Sequence, residues 1–273
     1  MKQTFLLGSP EYYKSETTEI NKLRADKQWN NLKSRIESHN INFKVVPGSK
    51  DLFDSVYITD SALIINDFAI MARYHKHSRR GEEKLTAEYL KKHLNIRILY
   101  LPEEEGLYYE GGDTRISHGG KHIWFGYGGG RTTLKGIEAI ITILKNELGN
   151  FSPIPHKLRI ENRKTFHIDL AFLPLDNGRA LYYPSLSPAA IQEIHNVFGA
   201  KNTIKVPTKY FFACNSVWLD EKTLLVPALP YDDYRQWMYK ATQMKIIEVN
   251  LSEFHLGNGS VQCMILRMWH ITK

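Results

Sequence analysis

The chain has 273 residues, 42% of them hydrophobic and 12% aromatic, which suits a substantial core in one large domain and excludes a disordered chain. Apolar runs such as "ALII" and "IEAIITIL" fall short of a membrane span, and the opening "MKQTFLLGSPEYY" turns charged too soon for a signal peptide. The formal charge is +7, from 36 basic and 29 acidic residues. The basic residues are scattered, so the balance reads first as a surface tolerant of anionic substrates and only second as a nucleic-acid footprint. Two cysteines, Cys214 and Cys263, make no disulfide framework and no zinc site, so a reducing, cytoplasmic setting is the expectation.

In chain order, periodicity predicts a strand "TFLLGSP", a helix "KQWNNLKSRIESHN" and a strand "FKVVPG". "SVYITDSALIINDFAIMARY" then reads as strand, turn, strand, followed by the helix "EEKLTAEYLKKHL" and the strand "IRILYLP". The order recurs. "LYYEGGDTRISHGGKHIWFGYG", "GIEAIITILKNEL" and "KLRI" form a second unit, with Thr132 or Thr133 as helix N-cap. "FHIDLAFLPLDNGRALYYP", "SPAAIQEIHNVFG" and "TIKVP" form a third, its helix opened by Ser187-Pro188 and closed on Gly199. "FFACNSVWLDEKTLLVPALP", "YDDYRQWMYKATQ" and "KIIEVNL" form a fourth. "GSVQCMILRM" begins a fifth that only the N-terminal segment can complete. The pattern predicts one domain over residues 1–273, an α/β chain of five strand-strand-helix-strand units.

Reactive side chains fall at one place in these units. Asp60, Asp113, His167, Asn215 and Cys263 each sit on or just past a first strand, 53, 54, 48 and 48 residues apart. In a closed ring, equivalent positions converge on the axis. A thiol, an imidazole and carboxylates around one cavity suit covalent catalysis on a planar cation, because carboxylates match the N–H fork of a guanidinium. "FHIDL" places His167 and Asp169 two apart, on one face of a strand. Singly, each residue has a plainer role: Cys263 and Cys214 as core thiols, His167 as an interior hydrogen-bonding group, and Asp113 in "EGGD" as a turn residue. "GYGGGRT" lacks the lysine and spacing of a phosphate loop.

"YYEGGDT", "WFGYGGGRTT", "FHIDLAFLPLDNGRALYYP", "FFACNSVWL" and "LSEFHLGNGSVQCMILRM" together resemble the guanidino-group-modifying enzymes of the pentein superfamily, over nearly the whole chain. The resemblance implies a five-bladed α/β propeller with the site on its axis. It implies Cys263 as nucleophile, His167 as general acid/base, and Asp113 and Asp169 as guanidinium-binding carboxylates. Asp60 in "YITDSA" falls where the family has aspartate or, in arginine dihydrolases, asparagine. Arg80 in "SRRGE" and Arg131 in "GRTT" match arginines that support the site or bind the substrate's α-carboxylate, and Glu110 of "EGGD" joins the substrate-binding set. Asn21 in "EINKLR" resembles the asparagine of an "INP" motif, with Lys22 in place of proline.

The expected activity is hydrolysis of arginine or an N-methylated arginine through a thiouronium on Cys263. Asp169 in place of the animal-type lysine favours an unmethylated guanidine, and Asp60 argues against double hydrolysis. The alternatives are an amidinotransferase or arginine dihydrolase using the same site, and a non-catalytic pentein that binds a ribosome or RNA. The expected partner is a small guanidino molecule rather than a membrane or nucleic acid, with a homo-oligomer left open. No metal or organic cofactor is required, since the substrate carries its own electrophilic carbon.

Overall fold

The N-terminal segment supplies β1 (Thr4–Gly8), α1 (Lys22–Glu37) and β2 (Asn42–Val46) in the computed structural model, which describes residues 4–15 and 17–271. Next come β3 (Ala62–Ile65), β4 (Phe68–Met71), α2 (Glu82–Leu94) and β5 (Arg97–Leu99), then β6 (Thr114–Ser117), β7 (His122–Tyr127), α3 (Leu134–Leu148) and β8 (Ile154–Arg159). They are followed by β9 (Phe172–Pro174), β10 (Ala180–Tyr182), α4 (Pro188–Phe198) and β11 (Thr203–Lys205). The chain closes with β12 (Val217–Asp220), β13 (Thr223–Pro227), α5 (Tyr234–Thr242), β14 (Lys245–Val249), a short α6 (Ser252–His255) and β15 (Ile265–Trp269).

Every unit pairs its first two strands antiparallel and its second and third parallel: β3-β4-β5, β6-β7-β8, β9-β10-β11, β12-β13-β14 and β15-β1-β2. The parallel step needs a crossover, and the predicted helix provides it in each case. In the last unit β15 comes from the C-terminus and β1 and β2 from the N-terminus. Parallel pairing of Met268 with Ile64 and Trp269 with Ile65 joins this unit to the first as one six-stranded sheet.

The helices follow their apolar stripes. α1 buries Ala25, Trp29, Leu32 and Ile36, spacings of three and four that keep one face inward, and Trp29 Nε1 donates to Gly8 O at 2.9 Å. Thr133, not Thr132, caps α3, and Ser187 caps α4. The buried side chains divide into five clusters, each spanning two neighbouring units. Leu63 and Phe68 pack with Ile116 and Phe125, Trp124 and Leu158 with Phe172 and Ala180, and Leu173 and Leu181 with Leu224 and Val226. Val217 and Leu225 pack with Phe5 and Ile265, and Leu6 and Leu266 with Ile64 and Met71.

One sequence expectation is corrected. The reactive residues do not lie on or past the first strands. Asp60, Asp113 and Asp169 lie in 3-10 turns just before β3, β6 and β9, and Cys263 lies in the turn before β15. "FHIDL" is not a strand: His167 flanks the turn Ile168–Leu170. A turn lifts a side chain clear of the sheet at its end, which a strand interior cannot do.

Candidate active site

Cys263, Asp60, Arg79 and Arg131 line one cavity of ≈ 180 Å³, together with Lys76, Asp54, Tyr57, Phe166, Ser15, Thr17 and the turn Gly257–Gly259. Cys263 is held from one side by Asn215. The amide Nδ2 donates to Sγ at 3.2 Å, while Oδ1 accepts the Gln262 N–H at 2.9 Å and the Cys263 N–H at 3.4 Å. From the other side the thiol donates to Asp169 Oδ2 at 3.4 Å. Burial, with Asp169 and Asp60 nearby, pushes the Cys263 thiol well above its ordinary value, so these surroundings favour a neutral thiol.

His167 is fully buried between two acids. Nε2 lies 2.9 Å from Glu110 Oε2, and Nδ1 lies 3.3 Å from Asp60 Oδ1 without hydrogen-bond alignment. Burial opposes its charging, but Asp60, then Glu110 and Asp113, raise it to about 9, so it is an imidazolium at neutral pH. Burial alone would raise Glu110, yet the imidazolium, Arg131 and Arg79 hold it down to about 2. Arg131 Nη1 donates to Glu110 Oε2 at 3.2 Å, its guanidinium resting 5.0 Å from the Phe166 ring.

Arg79 anchors the acids. It is 3% exposed and reaches Asp60 Oδ2 at 2.5 Å and both oxygens of Glu82 at 2.9 and 2.6 Å. Glu82, raised by burial to about 7 against the pull of Arg79, also accepts from Tyr74 at 3.2 Å. Gly112 allows the close approach of these groups. A Cβ there would lie 2.3 Å from Asp60 Oδ1 and 2.8 Å from His167 Nδ1.

Two expected binding residues sit elsewhere. Arg80 is exposed and turned away, its Nε donating to Tyr74 O at 3.2 Å; Arg79 occupies the site instead. Asn21 caps α1, accepting the Arg24 N–H at 3.0 Å, and its own N–H donates to Glu253 at 2.9 Å. Asp113 stays beside His167, whose charge it supports, and its Oδ1 accepts the Ile168 N–H at 2.9 Å, fixing the turn that carries His167 and Asp169. The structure gathers Cys263, His167, Asp169, Asp113, Asp60, Glu110 and Arg131. Arg79 was missed because "RRGEE" offers two arginine-glutamate pairs three apart. The phase of α2 separates them, since Leu90, Thr86 and Glu82 mark its buried face.

Asp60, Glu110 and His167 each place a ligand atom within 4.8 Å of one another, a spacing that could hold a metal ion. Arg79 and Arg131 already supply positive charge to these carboxylates, which opposes a further divalent cation.

A buried thiol, an imidazolium set between acids and a cradle of carboxylates, on this α/β frame, define a hydrolytic guanidino-group-modifying enzyme of the pentein class. A family model described as N,N dimethylarginine dimethylhydrolase, eukaryotic, matches residues 10–270, and the chain belongs to that family. This membership sets aside the non-catalytic alternative. An N(G),N(G)-dimethylarginine dimethylaminohydrolase of Pseudomonas aeruginosa is 26% identical over 96% of this chain and 91% of its own. A bifunctional arginine dihydrolase/ornithine cyclodeaminase of Nostoc is 26% identical over 90% of this chain, which spans only 33% of that protein. The crystal structure of the N-terminal domain of a cyanobacterial arginine dihydrolase superposes with a TM-score of 0.89 at 23% identity, covering 100% of both chains. No helix among the described residues is long and apolar enough to cross a membrane.

Proposed function

We propose that the protein hydrolyses the guanidinium group of free arginine, releasing ammonia and leaving citrulline. The observation that carries this reading is the set of buried carboxylate oxygens Asp60 Oδ1, Glu110 Oε1 and Asp169 Oδ1, none of which has a hydrogen-bond donor among the described residues. Buried acceptors call for donors, and an unmethylated guanidinium presents a planar fork of them. Each N-methyl group removes one donor.

The cation also completes the nucleophile. Its charge beside Asp169 and Asp60 offsets the burial that keeps Cys263 protonated, so the thiol releases its proton to solvent as the cation binds and regains one after the product leaves. Sγ attacks the guanidinium carbon, and His167 gives its proton from Nδ1, the nitrogen facing Asp60, to the departing nitrogen. Ammonia leaves a thiouronium on Cys263. Neutral His167 then takes a proton from water as it attacks the same carbon, and collapse expels the thiolate. Glu110, paired with Nε2, steadies the imidazolium before and after transfer. The ureido product is neutral and presents a carbonyl oxygen to Asp60, which cannot donate to it. Asp60 therefore favours release after one hydrolysis, where an asparagine could hold the product for a second. Arg131 and Lys76 at the cavity supply the positive charge that an α-carboxylate requires.

The five units are further inferred to close as a five-bladed propeller. The shared apolar clusters link first to second, second to third, third to fourth, fourth to fifth and fifth to first, and one polar group from each unit reaches the site. The family match supports a second reading, hydrolysis of N-methylated arginine with release of an amine. Incubation with arginine, monomethylarginine, asymmetric dimethylarginine and agmatine, with and without glycine as acceptor, tests both by product mass. Citrulline and ammonia from arginine are expected. Turnover of dimethylarginine alone would shift the reading to the second, ornithine to double hydrolysis, and guanidinoacetate to transfer.

A further inference from the structure

Asp169 and Arg115 present a matched pair of anomalies. Asp169 is fully buried, its Oδ2 meets only the weak thiol donor of Cys263, and its Oδ1 has no hydrogen-bond donor among the described residues. A buried carboxylate so poorly solvated should surrender its charge. Arg115, on β6, is 6% exposed and makes no ion pair among the described residues. Its guanidinium donates only to backbone carbonyls, to Cys214 O at 2.9 Å, Phe172 O at 3.3 Å and Asp169 O at 3.4 Å. These carbonyls belong to the two segments that frame the thiol: Asp169 itself, and Cys214 next to Asn215. Asn215 Nδ2 meets the same Asp169 carbonyl at 3.4 Å.

Building on the reading of Asp169 as a guanidinium acceptor, we propose that Arg115 is the standing counter-charge of Asp169, a positioning residue that keeps this carboxylate ionised while leaving its Oδ1 open to the substrate. A direct ion pair would block the oxygens the substrate needs. Carbonyls hold the guanidinium one backbone step away, where its field reaches the carboxylate through a low-dielectric interior and its fork ties together the Asp169 and Asn215 segments. Arginine suits the task because it keeps its proton even when buried. Burial raises Asp169, and His167 and then Arg115 draw it back. The charged and titratable groups facing Asp169 are His167, Arg115, Asp60 and Cys263; those facing Arg115 are Asp169, Cys214, Cys263 and Arg267.

The test is arginine binding to Cys263→Ser protein by calorimetry from pH 6 to pH 8.5, with and without Arg115→Met or Arg115→Lys. Losing the fixed charge raises the pH at which Asp169 takes a proton, so arginine binding should weaken by about tenfold at pH 6, equivalent to one pKa unit. The loss should be much smaller at pH 8.5, and Arg115→Lys should stay within about threefold of its parent. A pH dependence unchanged by Arg115→Met, or a loss equal at every pH, would overturn the proposal. A substrate-free readout separates this from failure of the substrate assignment. Arg115→Met should lower the urea midpoint more when Asp169 is present than in an Asp169→Asn background, at pH 8.5 but not at pH 5. If Cys263→Ser binds no arginine yet that coupling holds, the substrate reading falls and the Arg115–Asp169 pairing stands; equal losses in both backgrounds overturn the pairing.

Discussion

Cys263 and His167 are prepared in opposite directions by the same acids: the carboxylates that hold the thiol neutral hold the imidazole charged. Asp113 adds to the second effect and also holds the backbone. Its Oδ1 serves the Ile168 N–H, and burial raises it to about 7. With a folded-state value above the ordinary ~4, its contribution to stability is complete below about 4 and is lost as pH rises through about 7. Asp113→Asn keeps the acceptor and removes the titration. Its stability relative to wild type should therefore improve between pH 4 and pH 8 by roughly 2 kcal/mol or more of unfolding free energy. Its KM for arginine should stay within about threefold of wild type. Urea titration at the two pH values and steady-state kinetics check this, and a large rise in KM would return Asp113 to the substrate.

The elements show what periodicity conveys and what it hides. Helices α1 to α5 were legible because each carries an apolar stripe, and α4 because Ser187, Pro188 and Gly199 mark its ends. The turns that carry the chemistry were not, since "YITDS" and "FHIDL" alternate like strands while the backbone folds into 3-10 turns. Gly111 and Gly112 signalled a turn, but they also provide clearance: a Cβ on Gly111 would lie 2.2 Å from Thr59 O. Asn66 fixes the β3–β4 turn at φ 52°. Its N–H donates to Trp269 O at 2.8 Å, and its side chain exchanges bonds with Ile271 at 2.9 and 3.1 Å, clamping the end of β15. Asn66→Gly should cost about 1–2 kcal/mol through those side-chain bonds. Asn66→Ala should cost about 1 kcal/mol more for the left-handed backbone. Urea midpoints measure both, and an alanine variant as stable as the glycine variant would contradict the role of backbone strain.

At the scale of the whole molecule, the number of units was readable from the rhythm of strands and helices, because each unit repeats one crossover. Which side chains meet between neighbouring units was not, since the five apolar clusters join residues distant in sequence. The first and last segments share one sheet, so no unit at the seam can melt without exposing a cluster shared with its neighbour. Residues 1–273 are accordingly expected to unfold in one cooperative transition, with far-UV and near-UV dichroism superimposing. Two resolved transitions would contradict a closed ring.

The proposed mechanism joins Cys263 and His167 in one reaction, and acid-quenched mass spectrometry during arginine turnover tests that most directly. The account predicts an adduct equal to arginine less ammonia on the Cys263 peptide, absent from folded, inactive Cys263→Ser protein. Arginine turnover that survives in Cys263→Ser, or an adduct on another residue, would contradict it.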